Sequence, residues 1–433
     1  MNRRIFLQAG SAAAFAATDK PAKLGGTPVR KVKFPAWPVF DEREDKALLQ
    51  TLRSGKWYRG TGDRVTMFEK TYAQLMGSKG CLATANGTSA LLTAITTLGI
   101  GPGDEVIVTP YTFVATVNAI LQAHAVPVFA DIDPETFQMN PAKIEPLLSD
   151  RTSAIMPVHT GGLAMDMDAL MRISTKHNIP VIEDACQAHL SEWHGKKLGT
   201  FGKAGCFSFQ ASKNLNSGEG GALLTDDPEL LEQCYAFHNN SRPRKNIGGD
   251  EFRYATRGLN LRMTEFQAAL LLAQMTRLEE QARRRDENAA YLTGLLRQIP
   301  GIVPAAKIPG CTRASYHLYM FRYDSEHFHG LSRYNFLKAL SAEGIPCSNG
   351  YHPLNREPFI KSTLESRGFR RIYAPADVAR WQERNQCPAN DKLCTQAVWF
   401  SQFMLLGSRG DMDQIAEAVR KVQAHASELR QLG

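Results

Sequence analysis

From about residue 41 onward, apolar positions along the chain recur in two alternating rhythms. Helical spacing covers residues 41–52 and 65–76, then 89–98, 114–124 and 167–177. Short apolar runs bounded by turn residues fall between these helices, at 81–85, 105–109, 126–130, 154–158 and 181–184. Runs of four or five apolar residues alternating with amphipathic helices predict an α/β domain around a mostly parallel central sheet flanked by helices. Two more strands are expected at 206–209 and 222–225, and a long helix over 264–296. Beyond Pro304 the pattern restarts with a strand at 319–323, a helix at 332–342 and a final helix at 412–425. A chain of 433 residues exceeds what one core usually organises, so a large domain over 25–300 and a smaller C-terminal α+β domain over 301–433 are expected.

The N-terminus departs from this rhythm. Arg3-Arg4, a short apolar stretch, and Ala14-Phe15-Ala16 as a small-x-small site have the layout of a twin-arginine export signal over residues 1–17. That layout predicts export of the folded protein; without it the expected location is the cytoplasm. No apolar run reaches the ~18 residues of a spanning helix. The formal charge of +8 is scattered except for Arg242-Pro243-Arg244-Lys245, which suits an anionic small molecule better than nucleic acid. None of the eight cysteines forms a Cys-x-x-Cys pair, so neither a structural metal nor a disulfide framework is expected.

Ligands of open α/β sheets bind beyond the carboxyl ends of the strands, so the segments after each strand carry the candidate chemistry. Asn86-Gly87-Thr88-Ser89 opens a helix whose free N–H groups suit a phosphate, and equally suits a plain helix cap. Phe113 follows the next strand and could stack on a flat ring or fill the core. Asp184 ends a strand where a carboxylate can pair with a pyridinium nitrogen. Ser208 and Lys213 follow a further strand, ahead of Gly218-Glu219-Gly220-Gly221. A desolvated lysine forms Schiff bases with aldehydes. His159, Arg242 and His317 are candidates for substrate hydroxyl or acid groups.

Taken in order, Asn86-Gly87-Thr88-Ser89-Ala90-Leu91, Pro110-Tyr111-Thr112-Phe113, Glu183-Asp184-Ala185, Phe207-Ser208-Phe209, Lys213, Gly218-Glu219-Gly220-Gly221 and Asn260-Leu261-Arg262-Met263 make the chain similar to the DegT/StrS-type sugar aminotransferases. Phe34-Pro35-Ala36-Trp37-Pro38 and the stretch from His159 to Asp168 resemble the branch holding aminocyclitol aminotransferases and 3-amino-5-hydroxybenzoate synthase. The resemblance implies pyridoxal 5′-phosphate (PLP), fold type I, and transfer of an amino group from Gln or Glu to a keto-sugar or ketocyclitol. It implies that Lys213 carries the cofactor and moves the proton, and that Asp184 holds the ring nitrogen. Phe113 would stack on the ring, Gln187 would reach its 3′ oxygen, and Gly87, Thr88, Ser89 and Ser208 would bind the phosphate. Asn260 would serve the phosphate of a second subunit, implying a homodimer with shared sites. Leu190, where the family usually has glycine, and Cys186 are departures expected to reshape the substrate side of the pocket. Family dehydratases tend to replace the lysine by histidine, which Lys213 argues against. An aromatising elimination keeps the lysine and stays open, as does a regulatory protein that holds PLP without turnover.

Overall fold

The computed structural model describes residues 20–244 and 253–432, so the expected export segment and Lys245 lie outside the described residues. Seven strands build the main sheet: β1 (Gly80–Thr84), β2 (Glu105–Val108), β3 (Val126–Phe129), β4 (Thr152–Met156), β5 (Ile182–Asp184), β6 (Ala204–Ser208) and β7 (Gly221–Thr225). Their order is β1-β7-β6-β5-β4-β2-β3, with β4 and β5 joined through the parallel bridges Ile155–Val181 and Val158–Asp184. Only β7 runs against its neighbours β1 and β6; the remaining pairings are parallel. The expected α/β class with a mostly parallel sheet is the observed one. Six of the seven strands are buried along their whole length, which is why they read as continuous apolar runs rather than as alternation.

Helices α1 (Glu42–Ser54) and α2 (Arg64–Met76) precede these strands in the chain, α3 (Gly87–Thr97), α4 (Val114–Gln122) and α5 (Met167–His177) lie among them, and α6 (Pro228–His238) follows. Their starts are written locally. Asp41 and Glu44 form a reciprocal capping box on α1, and Asn86 and Asp166 cap α3 and α5 through their side chains. A second capping box, Thr264 with Gln267, opens the long helix α7 (Glu265–Leu296). This helix packs on α1 and α2, and also on the C-terminal elements that follow it.

Strands β8 (Ile302–Pro304), β9 (Leu318–Tyr323), β10 (Ser348–Asn349) and β11 (Ala397–Ser401) form an antiparallel sheet in the order β8-β9-β11-β10. Helices α8 (Arg333–Ala342) and α12 (Arg409–Ala424) pack together beside it. Between β10 and β11 the chain makes an excursion through α9 (Pro358–Leu364), α10 (Pro375–Arg384) and α11 (Pro388–Gln396), which the sequence pattern did not reveal. Ile360, Leu364, Phe369 and Trp381 join one core with Val106, Val126 and Phe129 of the main sheet. The excursion also closes the sheet's edge at β3. Trp381 Nε1 donates to Pro127 O at 2.6 Å, and Phe129 N donates to Asn385 Oδ1 at 2.5 Å.

Candidate active site

The turn between β6 and β7 carries the lysine. Phe209 N donates to Gly220 O at 2.7 Å and Ala211 N to Gly218 O at 2.9 Å, so the two strands continue as a hairpin with Lys213 near its tip. Gly218 has φ +83°, in the left-handed region that glycine enters without a Cβ clash. Trp37 Nε1 fastens the hairpin by donating to Ala211 O at 2.9 Å. Lys213 faces a cavity of about 720 Å³ beyond the carboxyl ends of β1, β2, β5 and β6. The C-terminal region adds His317, Leu318, Tyr351 and Trp399 to its lining.

Two polar networks fix the floor. Asp184 is buried, its Oδ2 accepts from Thr116 Oγ1 at 2.7 Å, and its Oδ1 accepts from Cys186 N at 3.1 Å. Thr112 and Thr116, one turn apart on the approach to α4, share a hydroxyl contact of 2.8 Å. The second network runs from Ser315 O, which accepts from Asn214 Nδ2 at 2.7 Å. That bond turns Asn214 Oδ1 toward His317 Nδ1 at 3.3 Å, so Nδ1 carries the imidazole proton and Nε2 offers its lone pair to Lys213 Nζ at 3.4 Å. Burial lowers the Lys213 pKa, while the nearby Cys186 and Asp184 act to raise it. Burial, and then the lysine's charge, push His317 well below the usual range, which keeps the ring neutral.

The cavity brings together Gly87, Thr88, Phe113, Asp184, Gln187, Ser208, Lys213 and His317 of the residues singled out from the sequence. Ser89 is buried beside it, with its N–H donating to Asn86 Oδ1 at 2.8 Å. Gly87 is required by close approach: a Cβ there would lie 2.8 Å from Ser208 Cβ and 2.9 Å from Cys186 Sγ. Besides Ser89, three expected residues do not line the cavity. His159 is fully buried and its Nε2 meets Glu183 Oε2 at 3.1 Å, on the neighbour of Asp184 that points the opposite way from the strand. Arg242 and Asn260 are exposed, Asn260 pairing through its backbone with Asn239.

Leu190 also departs from expectation. It is buried in the core rather than on the cavity wall, and its φ of +63° explains why glycine suits that position. Cys186 does line the cavity. The sequence reading missed Thr116, Tyr351 and Trp399. The Thr112–Thr116 spacing was available as a signal, since residues four apart share a helix face, whereas Tyr351 and Trp399 reach the site only through the C-terminal sheet.

A half-buried lysine in a strand-end hairpin, a carboxylate at the end of the adjacent strand, and a helix start with no side chain at Gly87 fit PLP: an amine for its aldehyde, an anion for its ring nitrogen, free N–H groups for its phosphate. Fold and cavity together define a PLP-dependent aminotransferase of fold type I. The chain belongs to the DegT/DnrJ/EryC1/StrS aminotransferase family, whose pattern matches residues 38–420. It is 36% identical over 428 residues to L-glutamine:2-deoxy-scyllo-inosose aminotransferase of Streptoalloteichus tenebrarius, covering 94% of this chain and 98% of that one. It is 35% identical over 401 residues to 3-amino-5-hydroxybenzoate synthase of Amycolatopsis mediterranei, covering 91% and 98%. A crystal structure of 3-amino-5-hydroxybenzoic acid synthase superposes with a TM-score of 0.81 at 34% identity, over 92% of this chain and all of that one.

These relatives correct one expectation. They are an aminotransferase named for glutamine and a biosynthetic synthase, and neither they nor the matched structure give any support to an exported enzyme. The reading of residues 1–17 as directing twin-arginine export is therefore withdrawn. Among the described residues no helix is long and apolar enough to cross a membrane, and no cluster of side chains could hold a metal ion.

Proposed function

We propose that the enzyme transfers an amino group from glutamine or glutamate to a ketone on a polyol ring, a ketocyclitol or keto-sugar. The observation that carries this reading is the cavity itself. Around Lys213 and Asp184 the lining includes His317, Tyr351 and Trp399, which offer hydrogen bonds and aromatic faces to a hydroxylated ring. The scyllo-inosose aminotransferases among the relatives support the same substrate class.

PLP, when bound, supplies the carbonyl that takes up the amino group and a ring that draws electron density from the donor's Cα–H bond. Lys213 Nζ would take the proton from the donor's Cα and deliver it to the carbon that bore the cofactor's aldehyde, and its desolvation, which lowers its pKa, favours the neutral amine that this needs. Asp184, fixed by Thr116, keeps its carboxylate toward the ring nitrogen. Gly87, Thr88, Ser89 and Ser208 bind the phosphate, Phe113 covers the ring, and Gln187 reaches its 3′ oxygen. His317 accepts from the freed lysine and holds it beside the reacting carbon.

Two chains complete each site in this reading, with Asn260 serving the partner's phosphate. Its support is exposed apolar surface around the segment that holds Asn260: Leu259, Tyr58, whose ring lies under the Arg262 guanidinium, and Trp57, whose carbonyl accepts from Glu265 N, are 45%, 46% and 52% exposed. That is unusual for side chains of this size on a lone soluble subunit. The chain is divided in the same reading into a PLP-binding unit over 25–300 and a smaller unit over 301–433.

The test is to load the enzyme with pyridoxamine phosphate and present keto-sugars and ketocyclitols. Return of the PLP absorbance with ketocyclitols or keto-sugars is the expected result. A preparation that responds only to simple α-keto acids overturns the reading.

A further inference from the structure

Arg285 lies within α7 with its whole side chain inside the fold and none of its surface exposed. Its Nε donates at 2.9 Å to Oε1 of Gln402, the first residue after β11. A guanidinium nitrogen can only donate, so this bond fixes which way the Gln402 amide is turned and makes Nε2 its remaining polar atom. Gln402 is also buried. Among the described residues nothing accepts from Nη1 or Nη2 of Arg285, or from Nε2 of Gln402. Three buried nitrogens, all donors and tied together by one hydrogen bond, thus have no acceptor.

The carbonyls of the turn after β11 serve other side chains. Leu405 O accepts from Asn288 Nδ2 at 2.8 Å, and Gly407 O accepts from Asn288 Nδ2 at 2.9 Å and from Arg284 Nη2 at 3.1 Å. The Trp37 ring meets the Arg285 guanidinium at 5.2 Å, which covers its face and leaves its in-plane N–H groups unpaired. Burial alone acts on the Arg285 pKa, pulling it down to about 9, so the group keeps its charge at neutral pH with no opposite charge to offset it. A lone charge of this kind is costly inside a protein unless something negative joins it. A second subunit cannot supply that group, because Arg285 is covered by its own chain.

We propose that Arg285 and Gln402 form a buried binding site for a monatomic anion, a halide such as chloride, which accepts from Arg285 Nη1 and Nη2 and from Gln402 Nε2. Complete enclosure favours a single-atom ion over a phosphate or carboxylate. The site stands behind the lysine: Trp37, whose ring meets Arg285, donates to Ala211 O in the Lys213 hairpin. Arg285 also acts on His189 and His317, whose pKa values are lowered first by burial and in part by its charge. A halide here braces the hairpin from behind and offsets that charge.

The test uses the holoenzyme at constant ionic strength, with gluconate, an anion too large for an enclosed site, replaced stepwise by chloride or bromide. The urea midpoint at fixed protein concentration should rise and level off, the unfolding constant falling about tenfold once the halide stands at about ten times its dissociation constant. Arg285→Met removes the charge, and Gln402→Glu supplies a negative group from the chain itself; neither variant should show the rise. Crystals grown in bromide should give an anomalous peak beside Arg285 Nη1 and Nη2 and Gln402 Nε2. Absence of that peak, with a water in its place, overturns the proposal. A peak without the halide-dependent rise also overturns it, as binding at crystal concentration only. So does a rise that both variants keep, because the halide then acts elsewhere. If neither variant folds, the bromide peak and the wild-type titration together decide.

Discussion

Nζ of Lys213 lies 3.4 Å from Nε2 of His317, whose other nitrogen is occupied by Asn214. The lysine thus meets a lone pair rather than a second cation, in a place where burial already disfavours its charge. Lys213→Ala is expected to abolish amination and the borohydride-stable attachment of PLP to the chain. Peptide mapping after reduction checks this. A pyridoxyl label on any other lysine of the wild-type enzyme would falsify the assignment.

In the proposed reading Asp184 would face the cofactor's ring nitrogen, and Thr116 would influence it only through that carboxylate. Asp184→Asn should keep the fold and slow the glutamine half-reaction by about 10²–10³-fold, as expected for losing a preorganised charge. Thr116→Val removes one hydrogen bond to that carboxylate, and about tenfold is expected. Stopped-flow traces of the cofactor absorbance give both numbers. A Thr116 variant slower than the Asp184 variant contradicts the order of influence.

Acid should destabilise the fold through its buried histidines. His189 donates from Nε2 to Ser208 O at 2.9 Å and accepts from Tyr72 Oη at 3.1 Å, and burial pulls it down to about 3. His238 is likewise pulled down to about 3, again chiefly by burial. In the unfolded chain such rings take up a proton near pH 6.5, so between that value and about pH 3 the unfolded state binds more protons and stability falls as pH falls. The loss for one such ring is on the order of 5 kcal/mol at the acid end. Urea midpoints measured from pH 7 to pH 4 should slope downward toward acid. His189→Gln, which keeps a donor and an acceptor but does not titrate, should flatten that slope. An unchanged slope in the variant refutes the contribution of His189.

Shared sites are tested by complementation. Lys213→Ala and Asn260→Ala chains, each inactive alone, are denatured together and refolded. Heterodimers carry both defects in one site and none in the other, so roughly a quarter of wild-type activity should return. Failure to recover activity, or an active monomer on sizing, rules out the shared site.

The sequence disclosed what depends on local pattern. Strands β1 to β7 are runs of apolar residues between turns, and Asp184, Ser208 and Lys213 follow directly from being at or just past strand ends. Leu190 shows the limit of this reading. Its proximity in the chain to the cofactor segment suggested a place on the pocket wall, but a left-handed backbone turns it into the core. The helices within residues 354–396 carry no legible period because they are short and mostly polar, and their few apolar side chains gain meaning only from the sheet they cover. Tyr351 and Trp399 were illegible for a related reason: their distance along the chain from Lys213 is closed by topology, not by any local signal.

The excursion through α9, α10 and α11 has a consequence for anyone recombining this enzyme with a relative. Trp381 and Asn385 occupy backbone groups of β3 that would otherwise be open to another strand. A fragment ending near residue 300 loses that cover and exposes Val126 and Phe129 beside an unpaired edge, the ingredients of sheet-to-sheet aggregation. Chimeras that exchange the C-terminal half for new substrate preferences therefore need to bring residues 354–387 from the same parent as β3, or they will precipitate before their specificity can be measured.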